Sequence, residues 1–481
     1  MKNESIVFSK NLSKNIELIK SKLHQSPELS VRTIELVSKR KCALVYLDGI
    51  VNTELIREGI INPLFSIRVI DEDFIDTLMS QQIRSESVLE VTSLSDSIDA
   101  IVRGKTLILV EGFNSGILVD TAQWEKRPIE QSTRQMNMKG PLIAFSEQLQ
   151  MNLNVLHNFI QSPNLMVEKK RIGLSSKTDV AIVYLADRVD QKALTDTLGR
   201  IDSLDVDYAL ESRIIDCVLE GNQKTIFPLT FTTELPDETA SALYEGRIAV
   251  LVNGTPSASI VPCLFVQFFQ QPSDYYVKSG NEMRILTFIS FFLTTLIPGS
   301  FLAIANFHKD WVPNHFHKTF FIQTETLVPV WFEVFLMIFL LQILSYGSFK
   351  ISKGSIILLS LISTITIGST AVDAKLVHPM SLIIVGVTFL ANTMLTVGNI
   401  SFTIYHLRYA FLFIGSLFGF TGIGIAFILM IIHLSYLRSV GVPYFAPFIP
   451  FNAKEMKDVF IRGNLRKLIN SKHTYPHDDK E

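Results

Sequence analysis

The chain has 481 residues, 44 Lys and Arg against 46 Asp and Glu, 48% hydrophobic residues and only 19% charged ones, with a mean hydropathy of +0.30. A soluble chain of this length usually carries more charge, and the near-zero net charge argues against a nucleic-acid binder. Cys42, Cys217 and Cys263 stand far apart with no Cys-x-x-Cys pair, which excludes a disulfide framework and a zinc ribbon and fits a reducing compartment.

The composition is split along the chain, which predicts an α/β soluble region made of two duplicated units followed by an α-helical transmembrane domain. Residues 1–34 form an N-terminal helical segment with no apolar run, so no cleavable signal peptide is expected and the following region stays on the side of synthesis. Residues 35–122 and 173–280 read as two copies of one α/β unit. Cys42-Ala-Leu-Val-Tyr-Leu matches Val180-Ala-Ile-Val-Tyr-Leu, and Gly104-Lys-Thr-Leu-Ile-Leu-Val-Glu-Gly matches Gly246-Arg-Ile-Ala-Val-Leu-Val-Asn-Gly. The two pairs come in the same order at offsets of 138 and 142 residues. Each copy opens on an apolar strand, passes through helical sequence and closes in a hairpin at Glu111-Gly112 or Asn253-Gly254, the latter a strong turn signal. Tyr46 is therefore expected to superpose on Tyr184, and Gly104 on Gly246. Between the copies, residues 123–172 form a linker. Phe145, Leu149, Leu153 and Leu156 recur there at helical spacing and predict an amphipathic connecting helix.

From Ile285 to Pro450 only 11 of 166 residues are Asp, Glu, Lys or Arg. Residues 281–437 are read as a transmembrane helical domain of four or five spans, drawn from Ile285–Ala305, Leu327–Leu344, Gly354–Val372, Pro379–Val397 and Tyr409–Ile432. A crossing needs about 20 apolar residues. Leu327–Leu344 carries Pro329 and Glu333, and a carboxylate at bilayer depth costs roughly 2.5–3.5 kcal/mol; this stretch either crosses or is re-entrant. Residues 438–481 form a tail with seven Lys or Arg from Arg438 to Lys472, which favours the cytoplasmic side. Both ends inside require an even number of crossings, whereas Lys350 and Lys353 pull the other way. Gly415 and Gly419 let helix backbones approach closely. Ser360, Ser363, Thr364, Thr366 and Thr370 fall on one broad helical face, which either bonds helix carbonyls inside a bundle or lines a wetted path.

Enzyme chemistry finds little support: the sequence has no GxxxxGK[ST], GxGxxG after a strand, HExxH or GxSxG motif. His308, His315 and His317 form the best metal candidate, but they sit beside Trp311 and Pro313, where rings at a membrane interface are the more ordinary reading. No metal or cofactor is expected.

Gly246-Arg-Ile-Ala-Val-Leu-Val-Asn-Gly-Thr-Pro followed by Phe268-Phe-Gln-Gln-Pro-Ser-Asp-Tyr-Tyr resembles the junction of the GerA family of spore germination proteins, A-subunit type. A proline-containing first span running into Phe307-His308 is similar to that family. So are Gly368-Ser-Thr-Ala-Val-Asp-Ala, His433-Leu, Gly441-Val-Pro-Tyr and the Gly140-Pro141 to Asn152 linker motif. The chain departs from the pattern at Thr233-Glu-Leu-Pro-Asp, which lacks an Arg, and at Gln342-Ile-Leu-Ser-Tyr-Gly, which keeps Glu333 but loses later charges. The resemblance implies a multi-pass subunit of a nutrient germinant receptor in the spore inner membrane. It further implies a permease-like B subunit and a lipoprotein C subunit as partners, and a homo-oligomer of A subunits acting as a nutrient-gated ion channel in contact with lipid. Ser360, Ser363, Thr364, Thr366, Thr370 and Glu333 are then the pore-lining candidates. A carrier-type transporter and a non-conducting scaffold are the alternatives, the carrier disfavoured because the repeat lies outside the membrane region.

Overall fold

The computed structural model describes residues 6–37, 39–65, 74–79, 83, 85, 87–123, 141, 143–270, 280–313, 315, 317, 328–348, 370–395 and 400–460. The chain divides into two compact units, one built on residues 1–221 and 232–262, the other on residues 222–231 and 263–471.

The first unit holds two five-stranded sheets. One is ordered β1 (Leu29–Glu35), β2 (Lys41–Leu47), β4 (Lys105–Val110), β5 (Gly116–Asp120), β3 (Val88–Val91); the other is ordered β6 (Leu165–Ile172), β7 (Thr178–Leu185), β9 (Ile248–Val252), β10 (Ala258–Val261), β8 (Phe231–Thr233). The registers agree as well. Cys42 faces Val110 and Val45 faces Leu107; Val180 faces Val252 and Val183 faces Ala249. Tyr46 and Tyr184 occupy the same place on β2 and β7, opposite Ser30 and Met166. Gly104 and Gly246 precede β4 and β9 with φ of 84° and 86°. The central strands are apolar because they are covered: β4 is buried from Thr106 and β9 throughout. Cys42 is fully buried, and burial pushes its thiol up to about 12, which makes it unreactive.

A helix heads each sheet. Helix α1 (Leu12–Lys22) precedes β1, and α3 (Leu149–Phe159), the helix read from the linker, precedes β6. Phe145, Leu149, Leu153 and Leu156 are buried against the second sheet's side. Both helices start the same way. Asn15 accepts from the Ser9 N–H at 2.9 Å and donates to the Ser9 carbonyl at 2.7 Å; Asn152 does the same with Ser146 at 2.8 and 2.7 Å. Each hairpin turn then closes on its helix. Glu111 accepts from the Leu12 N–H and Asn253 from the Leu149 N–H, both at 3.1 Å. The Gly112 and Gly254 N–H groups donate back to Lys10 and Glu147. Orphan N–H groups of a helix start are thus satisfied by the hairpin that follows β4 or β9. Other helices include α2 (Leu94–Val102) before β4, and α4 (Gln191–Asp202), α5 (Ser212–Glu220) and α6 (Pro236–Tyr244) around the second sheet, with short helical turns at Thr53–Leu55, Ile56–Ile61, Asn62–Phe65 and Phe74–Thr77 between β2 and β3.

The two sets meet at the buried side chain of Glu28. Glu28, just before β1, lies 2.9 Å from His157 Nε2 on α3 and 3.5 Å from Lys169 Nζ on β6.

The second unit is built on apolar helices: α7 (Gly280–Phe307), α8 (Val330–Ser348), α9 (Pro379–Thr393) and α10 (Ile400–Tyr436). Asn281–Phe307 and Ile400–Tyr436 are long and apolar enough to cross a membrane; α9 is shorter. Helix α10 is longer than the stretch Tyr409–Ile432 read from hydropathy. It breaks at Gly419, whose φ of 61° and ψ of −154° lie outside the helical region.

Candidate functional site

Among the described residues the second unit buries the charged side chains of Arg284, Glu333 and Arg408, the last two at the two ends of α9. At the start of α9, Glu333 from the first turn of α8 is 1% exposed. Its Oε2 accepts from the His378 N–H at 3.1 Å, and its Oε1 accepts from the Ser381 hydroxyl. His378 caps α9, its Nδ1 accepting from the Met380 N–H at 3.1 Å, while its Nε2 has no hydrogen-bond partner among the described residues. The carboxylate therefore stands at the N-terminal ends of two helices, where the exposed N–H groups and the helix dipole favour a negative charge.

At the other end of α9 sits Arg408 of α10, 5% exposed. Its Nη2 donates to Asn392 Oδ1 at 2.7 Å, its Nε donates to the Thr294 carbonyl at 3.2 Å, and its guanidinium lies 5.3 Å from the Tyr405 ring centre. No carboxylate among the described residues pairs with it. The Thr294 carbonyl is a partner for a reason: Pro298 lies four residues on, inside α7, and has no N–H to donate back. Arg408 fills that vacancy. Beside it Tyr409 donates to Gln342 Oε1 at 2.5 Å, which ties α10 to α8. Ser381 and Asn392 are separated by eleven residues of α9, or roughly 16 Å at 1.5 Å per residue. An acidic side chain at the helix start and a basic one at its end is the order the dipole favours.

Close backbone contact supports this network. A β-carbon at Gly299 would stand 2.3 Å from the Phe411 carbonyl oxygen, and one at Gly415 would stand 2.4 Å from that of Gly299. Gly415 thus meets α7 directly, and Gly419 forms the break in α10. Asn306 donates to the Ser416 carbonyl at 3.1 Å in the turn before that break. The His308 ring stacks on Trp311 and Phe420 at centroid distances of 4.5 and 5.5 Å, and His317 Nε2 lies 3.1 Å from the Lys309 carbonyl.

Of the residues singled out from the sequence, Glu333 is buried in this network and Thr370 is exposed at the start of the described turn before α9. Ser360, Ser363, Thr364 and Thr366 lie outside the described residues. Arg408, Asn392, His378 and Ser381 carry no signal in a hydropathy count. The pairing of Pro298 in one apolar run with Arg408 at the head of another is the one clue available.

The chain thus joins an α/β region to apolar helices, two of them long and apolar enough to cross a membrane. The particular family is established by sequence: residues 17–474 match the Bacillus/Clostridium GerA spore germination proteins, and the chain belongs to that family. It is 31% identical to spore germination protein KA of Bacillus subtilis (strain 168) over 96% of this chain and 86% of the relative. It is 28% identical to spore germination protein GerLA of Bacillus cereus over 94% and 93%. The crystal structure of the N-terminal domain of the A subunit of the Bacillus megaterium spore germinant receptor GerK3 matches with 27% identity and a TM-score of 0.43, covering 55% of this chain and 99% of that one.

Proposed function

We propose that this chain is the A-type subunit of a nutrient germinant receptor in the spore inner membrane, where it triggers germination through ion release. The family match over residues 17–474 carries the reading. In it the apolar helices cross the membrane several times, and residues 1–280 and the tail face the cytoplasm. Permease-like B and lipoprotein C subunits are its partners, and several A chains assemble around an ion path lined by Ser360, Ser363, Thr364, Thr366 and Thr370. The buried Glu333 and Arg408 support membrane function of this kind, because ionisable side chains inside apolar helices are costly and are kept chiefly where transport or signalling uses them. We also infer that the two α/β sets arose by duplication; the shared strand order, register and Ser–Asn helix starts support it.

The test is nutrient-triggered ion release from spores whose other receptors of this family have been removed. Restoring the complete receptor with this chain is expected to restore the response. Normal accumulation with no response to any nutrient mixture would contradict the proposal.

A further inference from the structure

The break at Gly419 leaves a groove of about 700 Å³ that both limbs of α10 line. Leu407, Phe411 and Ile414 form one wall, Leu429 and Met430 the other. One end differs in character. There the segment Lys224–Phe227, which belongs to the same compact unit, adds Lys224 to the lining and brings Thr225 against His433. The segment is built in place. Thr403 donates to the Ile226 carbonyl, Thr225 Oγ1 lies 3.0 Å from His433 Nε2, and the Gln223 amide exchanges bonds of 2.6 and 2.9 Å with the Arg438 backbone.

We propose that this groove holds one acyl chain of an anionic phospholipid, with the headgroup phosphate at Lys224. Water is a poor occupant, because an ordered water needs two to four polar partners and the walls supply them only at one end. A helix from a second copy is also a poor occupant. A helix with side chains is 10–12 Å across and fills roughly 400–600 Å³ per turn, so the groove holds fewer than two turns. A flexible alkyl chain fits both the volume, which lies in the range of small-molecule sites, and the apolar wall. The cation at the polar end complements a phosphate. The assignment rests on the reading of α10 as a membrane helix.

The experiment is native mass spectrometry of the full-length chain taken from nanodiscs containing equal phosphatidylglycerol and phosphatidylcholine. Alkaline carbonate extraction of the source membranes runs alongside. Expected is one retained phosphatidylglycerol per chain, preferred roughly fivefold, the effect of one basic residue near an anionic surface. Lys224→Gln is expected to remove the preference but keep a lipid. Ala426→Trp, which projects into the groove, is expected to remove the lipid. Equal retention of the two lipids by the wild-type chain overturns the proposal, as does unchanged retention by Ala426→Trp. Should that variant fail to accumulate, the wild-type preference decides alone. A chain released by carbonate overturns the membrane reading and this proposal together; an integral chain without lipid preference overturns only this one.

Discussion

Asp216 on α5 is almost fully buried, and its Oδ1 accepts from the Ser259 hydroxyl at 2.6 Å. Burial raises its carboxyl from the ordinary 3.8 to about 6, with the Ser259 bond opposing. The folded state therefore holds this proton more tightly than the unfolded one. The group costs nothing below about pH 4, and stability falls as pH rises from there to about 6. A shift of this size corresponds to about 3 kcal/mol at neutral pH. Asp216→Asn keeps the acceptor for Ser259 and removes the charge. The variant is expected to unfold at higher temperature than wild type at pH 7.5, with the gap closing by pH 4. Equal melting at pH 7.5 would show that Asp216 is solvated. The Glu28–His157 pair behaves differently, because both members are buried and Lys169 is close. His157→Ala removes one partner of buried Glu28 but leaves Lys169 3.5 Å away, so it is expected to cost about 1–3 kcal/mol, whereas Glu28→Leu with His157→Leu is expected to be near neutral. Hydrogen exchange at α3 and β6 is the readout.

Among the helices, Arg408 and Pro298 form a pair that can be tested by a double-mutant cycle. Arg408→Met leaves the Thr294 carbonyl without a donor in an apolar surrounding, at an expected cost of about 1–3 kcal/mol in detergent. Pro298→Ala restores the N–H that the carbonyl lacks, so in that background Arg408→Met is expected to cost distinctly less. Additive losses would mean that Arg408 acts through Asn392 alone. The same helices show what sequence reveals. Glu333 stands out as a charge in an apolar run, but a hydropathy count stops at Tyr409 and so places Arg408 outside its helix. Its main partner is a backbone carbonyl, visible only through the proline four residues away. In the α/β unit, β2, β4, β7 and β9 are legible because both faces are covered and the runs are continuously apolar. Strands β1 and β6 read LSVRTIE and LMVEKKRI. They lie at sheet edges with one face wet, so their charges hide them. The equivalence of α1 and α3 rests on Ser9 with Asn15 and Ser146 with Asn152, a hydrogen-bond pattern six residues long that apolar periodicity does not register.

The whole chain joins two five-stranded sheets of the same strand order to apolar helices that bury an acidic and a basic side chain at the two ends of α9. The proline inside α7 and the glycine break in α10 are each accompanied by a polar side chain, Arg408 or Asn306, bonded to a carbonyl nearby. Donors placed in this way satisfy carbonyls that would otherwise be left bare among apolar side chains. The direct test of the receptor reading is ion flux through the purified receptor, this chain with its partner subunits, reconstituted in liposomes. The account predicts flux that begins on addition of nutrient and is strongly reduced by Thr364→Leu at an unchanged level of protein. Absence of nutrient-dependent flux from a fully assembled receptor, or undiminished flux with Thr364→Leu, would contradict it.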